Sequence, residues 1–239
     1  MLFSILYIMR RSRIHLRRQI LTLFVVALSA VAMWASQLSE ATPAPLTPAI
    51  QQELFGGTTT ASEQLEKLEV KGRAPKTGYQ RKQFGDGWGK IDGCSTREAI
   101  LARDLTDVVM DTEKCRVNSG TLHDPYTGQT IQFQRGEKTS QAVQIDHIVA
   151  LSDAWQKGAQ QISREQREQL ANDPLNLIAV DGPANQAKGD GDAATWLPPN
   201  KAFRCQYVAR QIAVKAKYHL WVVAAEKDAM IRILQNCDA

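Results

Sequence analysis

The chain has 239 residues, of which 44% are hydrophobic and 23% charged, with 15 Gly and 9 Pro. This composition suits one globular domain with extensions and excludes wholesale disorder. The net charge of +4 does not by itself indicate a nucleic-acid partner, because Arg10, Arg11, Arg13, Arg17 and Arg18 lie in an acid-free start; without those five, 24 basic residues face 25 acidic ones. Any nucleic-acid contact must therefore come from a local basic patch and from site chemistry.

Residues 1–36 read as an address. Five arginines precede Ile20 to Ala35, a run of 16 uncharged, mostly apolar residues. This is the pattern of a signal peptide, with Ala30, Val31 and Ala32 as a small-x-small cleavage site. The alternative is an uncleaved anchor that contacts the membrane. Sixteen helical residues span about 24 Å, short of a hydrocarbon core of roughly 30 Å. Either way the positive flank stays inside and the remainder is exported, so the protein is expected to be secreted or extracytoplasmic.

Residues 37–63 carry Pro43, Pro45 and Pro48, then Gly56 and Gly57 before a Thr run. They read as a flexible linker, with the folded domain spanning 64–239. Four cysteines follow: Cys94, Cys115, Cys205 and Cys237. In an oxidising compartment they suggest two disulfides. Of three possible pairings, Cys94 with Cys115 and Cys205 with Cys237 is preferred, since each pair flanks a probable helix or helical hairpin. No Cys-x2-Cys spacing supports zinc.

Residues 64–71 form a short helix or strand. The turn-rich stretch 76–89 interleaves Lys76, Arg81 and Lys82 with Tyr79, Phe84 and Trp88. Such a stretch can face a phosphate backbone, although a loop packing Phe84 and Trp88 inward is the simpler reading. Ile100, Leu101, Leu105, Val108 and Val109 follow helical spacing, which predicts one amphipathic helix over 96–109. Asp124 to Gly128 is a turn, followed by a strand at 130–133. Residues 142–149 are the clearest strand. Helices follow over 151–159 and 163–171, the second opened by a Ser163/Gln166 capping box. A second strand covers 175–180. Asp181 and Pro183 then start a short helix through Lys188. Trp196, Leu197, Pro198 and Pro199 lead into helices over 202–217 and 220–234.

The order strand, Asp146-His147, connection, strand with Asn176, turn, helix with Asn185 carries the chemistry. Asn185 and Lys188 share a helix face. The Asp146 carboxylate and the Asn185 amide oxygen suit a hard divalent cation. A neutral His147 can take a proton from water. Lys188 can hold a phosphate as a point charge. Each piece alone is weak, and their ordered combination points to phosphodiester hydrolysis.

Residues 145–190 resemble an HNH endonuclease, the ββα-metal class. The wider stretch from Leu65 to Cys237 resembles exported HNH nucleases related to the C-terminal nuclease domain of GmrSD-type restriction enzymes. The supporting segments are Thr77 to Tyr79, Gly93 to Arg97, Arg103 to Leu105, Asp124 to Gly128, Asp146 to Trp155 and Trp196 to Pro199. The resemblance implies an α+β fold with a ββα-metal (HNH) core about 142–190, plus additional helices and short strands. It implies His147 as general base, Asp146 and Asn185 as metal ligands, and Asn176 as the residue that ties the loop between the strands. It also implies a nucleic-acid substrate, above all DNA, and products with 5′-phosphate ends. The family's last position is often His; Asn185 there favours Mg2+ or Mn2+ over Zn2+.

Arg97 and Arg103 lie on the helix beside Cys94. The resemblance makes Arg97 the better phosphate contact, with ion pairing to Glu98 the competing reading. His123 reads as a surface turn residue, and His219 as a packing residue in a helical hairpin. Trp155 and Trp196 read as core anchors. The competing function is a catalytically inactive nucleic-acid or cell-envelope binding module on the same fold.

Overall fold

The computed structural model describes residues 42–57, 59–111, 115–137 and 139–237; the expected signal or anchor segment lies outside them. Two threonines open the described chain. Thr47 accepts from the Ile50 amide and, with Pro48 in the first turn, starts helix α1 (Pro48–Phe55). Thr60 and Glu63 form a capping box that starts α2 (Ala61–Lys67). Residues 42–63, expected as a tether, therefore begin the fold: Leu46, Ala61 and Leu65 are buried in its core, with Ile50, Leu54 and Phe55 packed against them. The Pro and Gly that suggested a linker are the start of one helix and the left-handed end of the same helix at Gly56.

A 3-10 turn (Arg81–Phe84) and a two-residue hairpin, β1 (Lys90–Ile91) with β2 (Cys94–Ser95), lead into α3 (Thr96–Asp104). The single helix expected over 96–109 stops at Asp104. Leu105 pairs with Leu122, and the chain continues as β3 (Leu105–Asp111). The β-branched Thr106, Val108 and Val109 suit a strand, and Val109 is 56% exposed, which a core helix face would not allow. β3 joins β4 (Arg116–His123) and β5 (Thr130–Gln134) in an antiparallel sheet. The Cys94–Cys115 disulfide fastens this sheet to the start of α3.

The second sheet is the antiparallel hairpin β6 (Val143–His147) and β7 (Leu177–Asp181). Between its strands run α4 (Leu151–Ala154), a wide turn through Ala159 broken at Gly158 (φ 123°), and α5 (Arg164–Asn172) with the predicted capping box. The helix α6 (Gly182–Lys188) follows β7 at once, because the Asp181 side chain caps the Ala184 amide. Gly182 admits no side chain: a Cβ would lie 2.2 Å from the Gln141 carbonyl oxygen.

Helix α7 (Arg204–Lys217) runs through the centre and α8 (Ala224–Leu234) closes the fold. Val208 and Ile212 of α7 are fully buried, each contributing roughly 1.5–3 kcal/mol by burial. The Cys205–Cys237 disulfide ties α7 to the residues after α8. Both cysteine pairings are those expected from their spacing. His219 does not pack: it is exposed, with φ 55°, in the left-handed turn between α7 and α8. Trp155 is buried, and Trp196 packs against the core.

The connection between β6 and β7 contributes Asp153 and Lys157 to a buried ionic cluster. Lys157 Nζ sits 2.7 Å from carboxylate oxygens of Asp153, Asp192 and Glu226. Lys215 pairs with Glu226 at 2.9 Å, and Arg73 with Asp192 at 2.8 Å. Three cations balance three carboxylates. Burial alone would lower the Lys157 pKa, but Asp153 and Glu226 outweigh it and raise it. Among the described residues no helix is long and apolar enough to cross a membrane.

Candidate active site

The register of the hairpin sets the site. Asp146 pairs with Ile178 and His147 with Leu177, so strand alternation sends the two side chains to opposite faces. They meet in one cavity of 240 Å3, whose lining includes Ile145, Asp146, His147, Asn185 and Asp190. Three consecutive residues of β6 line it, so residues from both faces of the strand border the one cavity.

Asn176 holds the chain where it leaves β6. Its Oδ1 accepts from the Val149 amide at 2.8 Å, and its Nδ2 donates to the carbonyls of Val149 and Leu170. The Ile148 amide donates to the Asn176 carbonyl. The residue is fully buried, so these bonds are not in competition with water. They tie the loop after His147 to the end of α5.

His147 is bound to the same helix. Its Nε2 lies 2.9 Å from the Ala171 carbonyl oxygen. A carbonyl can only accept, so Nε2 carries the proton and Nδ1 holds the lone pair. Trp88 stacks on the imidazole, with centroids 5.8 Å apart and planes 5° from parallel. Burial lowers the His147 pKa from 6.5 to about 3; the Ala171 bond opposes this, while the charges of Arg81 and Lys188 add to it. The ring is a neutral imidazole with one basic nitrogen.

Asp146 is buried among donors. The Tyr126 hydroxyl bonds Oδ2, and Lys188 Nζ lies 2.9 Å from Oδ2 and 3.1 Å from Oδ1. Lys188 also donates to the His147 carbonyl at 2.8 Å. Burial, then the neighbouring Asp146, raise the Tyr126 pKa well above its ordinary value, so the phenol remains a donor. Asn185 Nδ2 donates to Gln144 Oε1 at 2.9 Å, which leaves Oδ1 as its oxygen for a cation. Asp146 and Asn185 are therefore hard oxygen donors at the cavity, the Asp146 carboxylate being already engaged by Lys188 and Tyr126. Among the described residues no group of three His, Cys, Asp or Glu side chains forms a metal cage.

The structure thus brings Asp146, His147 and Asn185 to one cavity, with Asn176 behind them. Lys188 does not face the open space as a phosphate contact would: its side chain is fully buried against Asp146. Arg97 borders a neighbouring cleft with Asn185, but its guanidinium pairs with Glu98 at 3.2 Å. Arg103 pairs with Asp104 and donates to the Pro174 and Leu177 carbonyls, docking α3 on the start of β7. His123 is exposed beside Thr130, at the end of β4. Phe84 packs inward.

Sequence reading missed Tyr126, Gln144 and Trp88 as supports of the site. Gln144 was findable, since it lies two residues before Asp146 and so on the same face of β6. Tyr126 sits inside a turn whose backbone signals hid the role of its hydroxyl.

The profile of the family described as GmrSD restriction endonucleases, C-terminal domain, matches residues 95–233. A protein of Arthroderma benhamiae, named as an uncharacterized secreted protein, is 39% identical over 217 residues, covering 90% of this chain and 98% of that one. No solved structure matches. Two disulfides suit an extracellular protein. The matched stretch contains both strands of the hairpin, Asp146, His147, Asn176 and Asn185, and on it this chain belongs to the family of the GmrSD restriction endonuclease C-terminal domain.

Proposed function

We propose that the protein is an exported, metal-dependent endonuclease that hydrolyses phosphodiester bonds of DNA. The observation that carries this reading is the convergence of Asp146, His147 and Asn185 on one cavity, with His147 neutral and its Nδ1 unprotonated. Nδ1 takes the proton of a water that attacks phosphorus. The Ala171 carbonyl fixes the ring and steadies the imidazolium that forms; Trp88 limits its rotation. Asn176 keeps the loop after β6 in register, so that the base stays at the cavity.

Asp146 and Asn185 would hold a divalent cation, Mg2+ or Mn2+, through one carboxylate and one amide oxygen. The donor set fits a hard ion that keeps open positions. Bound there, the ion would supply Lewis acidity for the phosphate and the leaving oxygen. Lys188 neutralises Asp146 and so lessens the charge that an approaching phosphate meets.

The test is cleavage of supercoiled plasmid by the oxidised protein with Mg2+, Mn2+ or EDTA, beside His147→Ala. Metal-dependent nicking that disappears in the variant is the expected result. A folded wild type that leaves the plasmid intact with Mg2+ and with Mn2+ would instead make the protein a binding module on the same fold.

A further inference from the structure

Three clefts meet around the site. The 240 Å3 cavity holds Asp146, His147 and Asn185. A second, of 370 Å3, is bordered by Lys82, Phe84, Trp88 and His147. A third, of 550 Å3, is bordered by Arg97, Arg135, Gln144 and Asn185. One residue borders all three, and it is Arg81.

We propose that Arg81 seats the phosphodiester beside His147, and that a DNA backbone crosses the protein through the clefts that Arg81 joins. This rests on the nuclease reading above. Arg81 is exposed, and among the described residues its guanidinium has no carboxylate or carbonyl partner. Most of the neighbouring cations are committed elsewhere; Lys82, exposed like Arg81, borders only the 370 Å3 cleft of the three. Lys188 is spent on Asp146. Arg97 and Arg135 share Glu98. Arg167 donates to the carbonyls of Gln83, Ala159 and Ile162. An unpaired guanidinium keeps its planar fork of donors available for two phosphate oxygens, which an ammonium cannot match.

The arm that carries Arg81 is anchored. Phe84, at the other end of the 3-10 turn, is buried edge-on against Tyr79 and Trp155. Arg167 of α5 grips the Gln83 carbonyl at 3.0 Å, and Asn172 of α5 receives the Gly89 amide at 2.7 Å. The same helix supplies the Ala171 carbonyl that fixes His147. The imidazole and the backbone segment that carries Arg81 are therefore both anchored to one helix, which leaves the exposed Arg81 side chain free to meet a phosphate. The charge of Arg81 also reaches the imidazole, as one of the influences that keep it neutral.

Two readouts test this with Arg81→Ala and Arg81→Lys in the oxidised full-length protein. One is kcat/KM on a fluorescent DNA duplex in Mg2+. The other is binding of that duplex in EDTA by His147→Ala, with and without Arg81→Ala, at several salt concentrations. We expect kcat/KM to fall about ten- to a hundredfold in Arg81→Ala, as for loss of a charge-assisted contact. Lysine should restore only part of it. Binding should weaken, with a salt slope shallower by about one. Thermal midpoints should match wild type, since the side chain supports nothing in the fold. An Arg81→Ala protein that cleaves and binds like its parent overturns the proposal. If wild type binds DNA through Arg81 yet never cleaves it, the phosphate seat stands and the nuclease reading falls.

Discussion

His147 donates through Nε2 to the carbonyl of Ala171 at 2.9 Å, and this bond decides which ring nitrogen remains basic. The helix that supplies the carbonyl, α5, lies between the two strands of the hairpin. The long connection is thus the part of the fold that orients the His147 ring.

The first prediction concerns protonation. With a pKa near 3, the His147 ring should stay neutral, with Nδ1 unprotonated, from pH 8 down to pH 5 in nitrogen-15 NMR spectra taken in EDTA. Because the folded value lies below the unfolded one, the unfolded chain takes up the proton first. The stability contributed is full above pH 6.5 and declines as pH falls toward 3, by about 1.4 kcal/mol per unit. Urea unfolding of wild type and His147→Ala at pH 7 and pH 5 should show the steeper decline in wild type. Equal declines, or a ring that titrates near 6.5, would refute the buried neutral base.

A second prediction follows from Lys188, whose side chain is fully buried against a nearly buried Asp146. Lys188→Met leaves a carboxylate with the Tyr126 hydroxyl as its remaining donor among those described above. Breaking a buried pair in this way costs about 3–5 kcal/mol. The thermal midpoint in EDTA should drop accordingly, and Mg2+ should raise it more in the variant than in wild type. A variant as stable as wild type without metal would mean that the pair is not essential to the wall of the site.

A third prediction isolates Asn176. Replacing it by Ala strands the Val149 amide and two carbonyls in a fully buried place. The cost should be roughly 3 kcal/mol, the scale of unsatisfied buried polar groups. Urea denaturation measures it. Asn176→Asp keeps the acceptor and loses the two donations, so it should not restore the wild-type midpoint; a full recovery would show that the amide nitrogen contributes nothing.

The hairpin was legible because both strands are apolar runs, Asp181 and Pro183 announce α6, and the order of Asp146, His147, Asn176 and Asn185 is local to it. The cysteine pairs were legible from spacing. The end of α3 was not, because Leu105, Val108 and Val109 satisfy helical and strand rhythm alike, and only pairing with β4 decides between them. Helix α1 was hidden behind Pro and Gly that also mark linkers. Whether a basic residue near the site faces solvent or a carboxylate depends on contacts distant in sequence. Lys188 meets Asp146 across 42 residues and Arg81 meets no acid among the described residues, and neither fact is written in its neighbours.

The buried ionic cluster draws on the whole domain. Lys157 comes from the connection, Asp192 from the loop after α6, Lys215 from α7 and Glu226 from the last helix. Until Glu226 arrives, two lysines destined for the interior lack one of their counter-charges, and dehydrating them costs more than the remaining pairs return. The cluster is therefore complete only when the final helix docks. Completion of the cluster is thereby tied to completion of synthesis, so a truncated chain that ends before residue 226 should be a poor scaffold for the same chemistry.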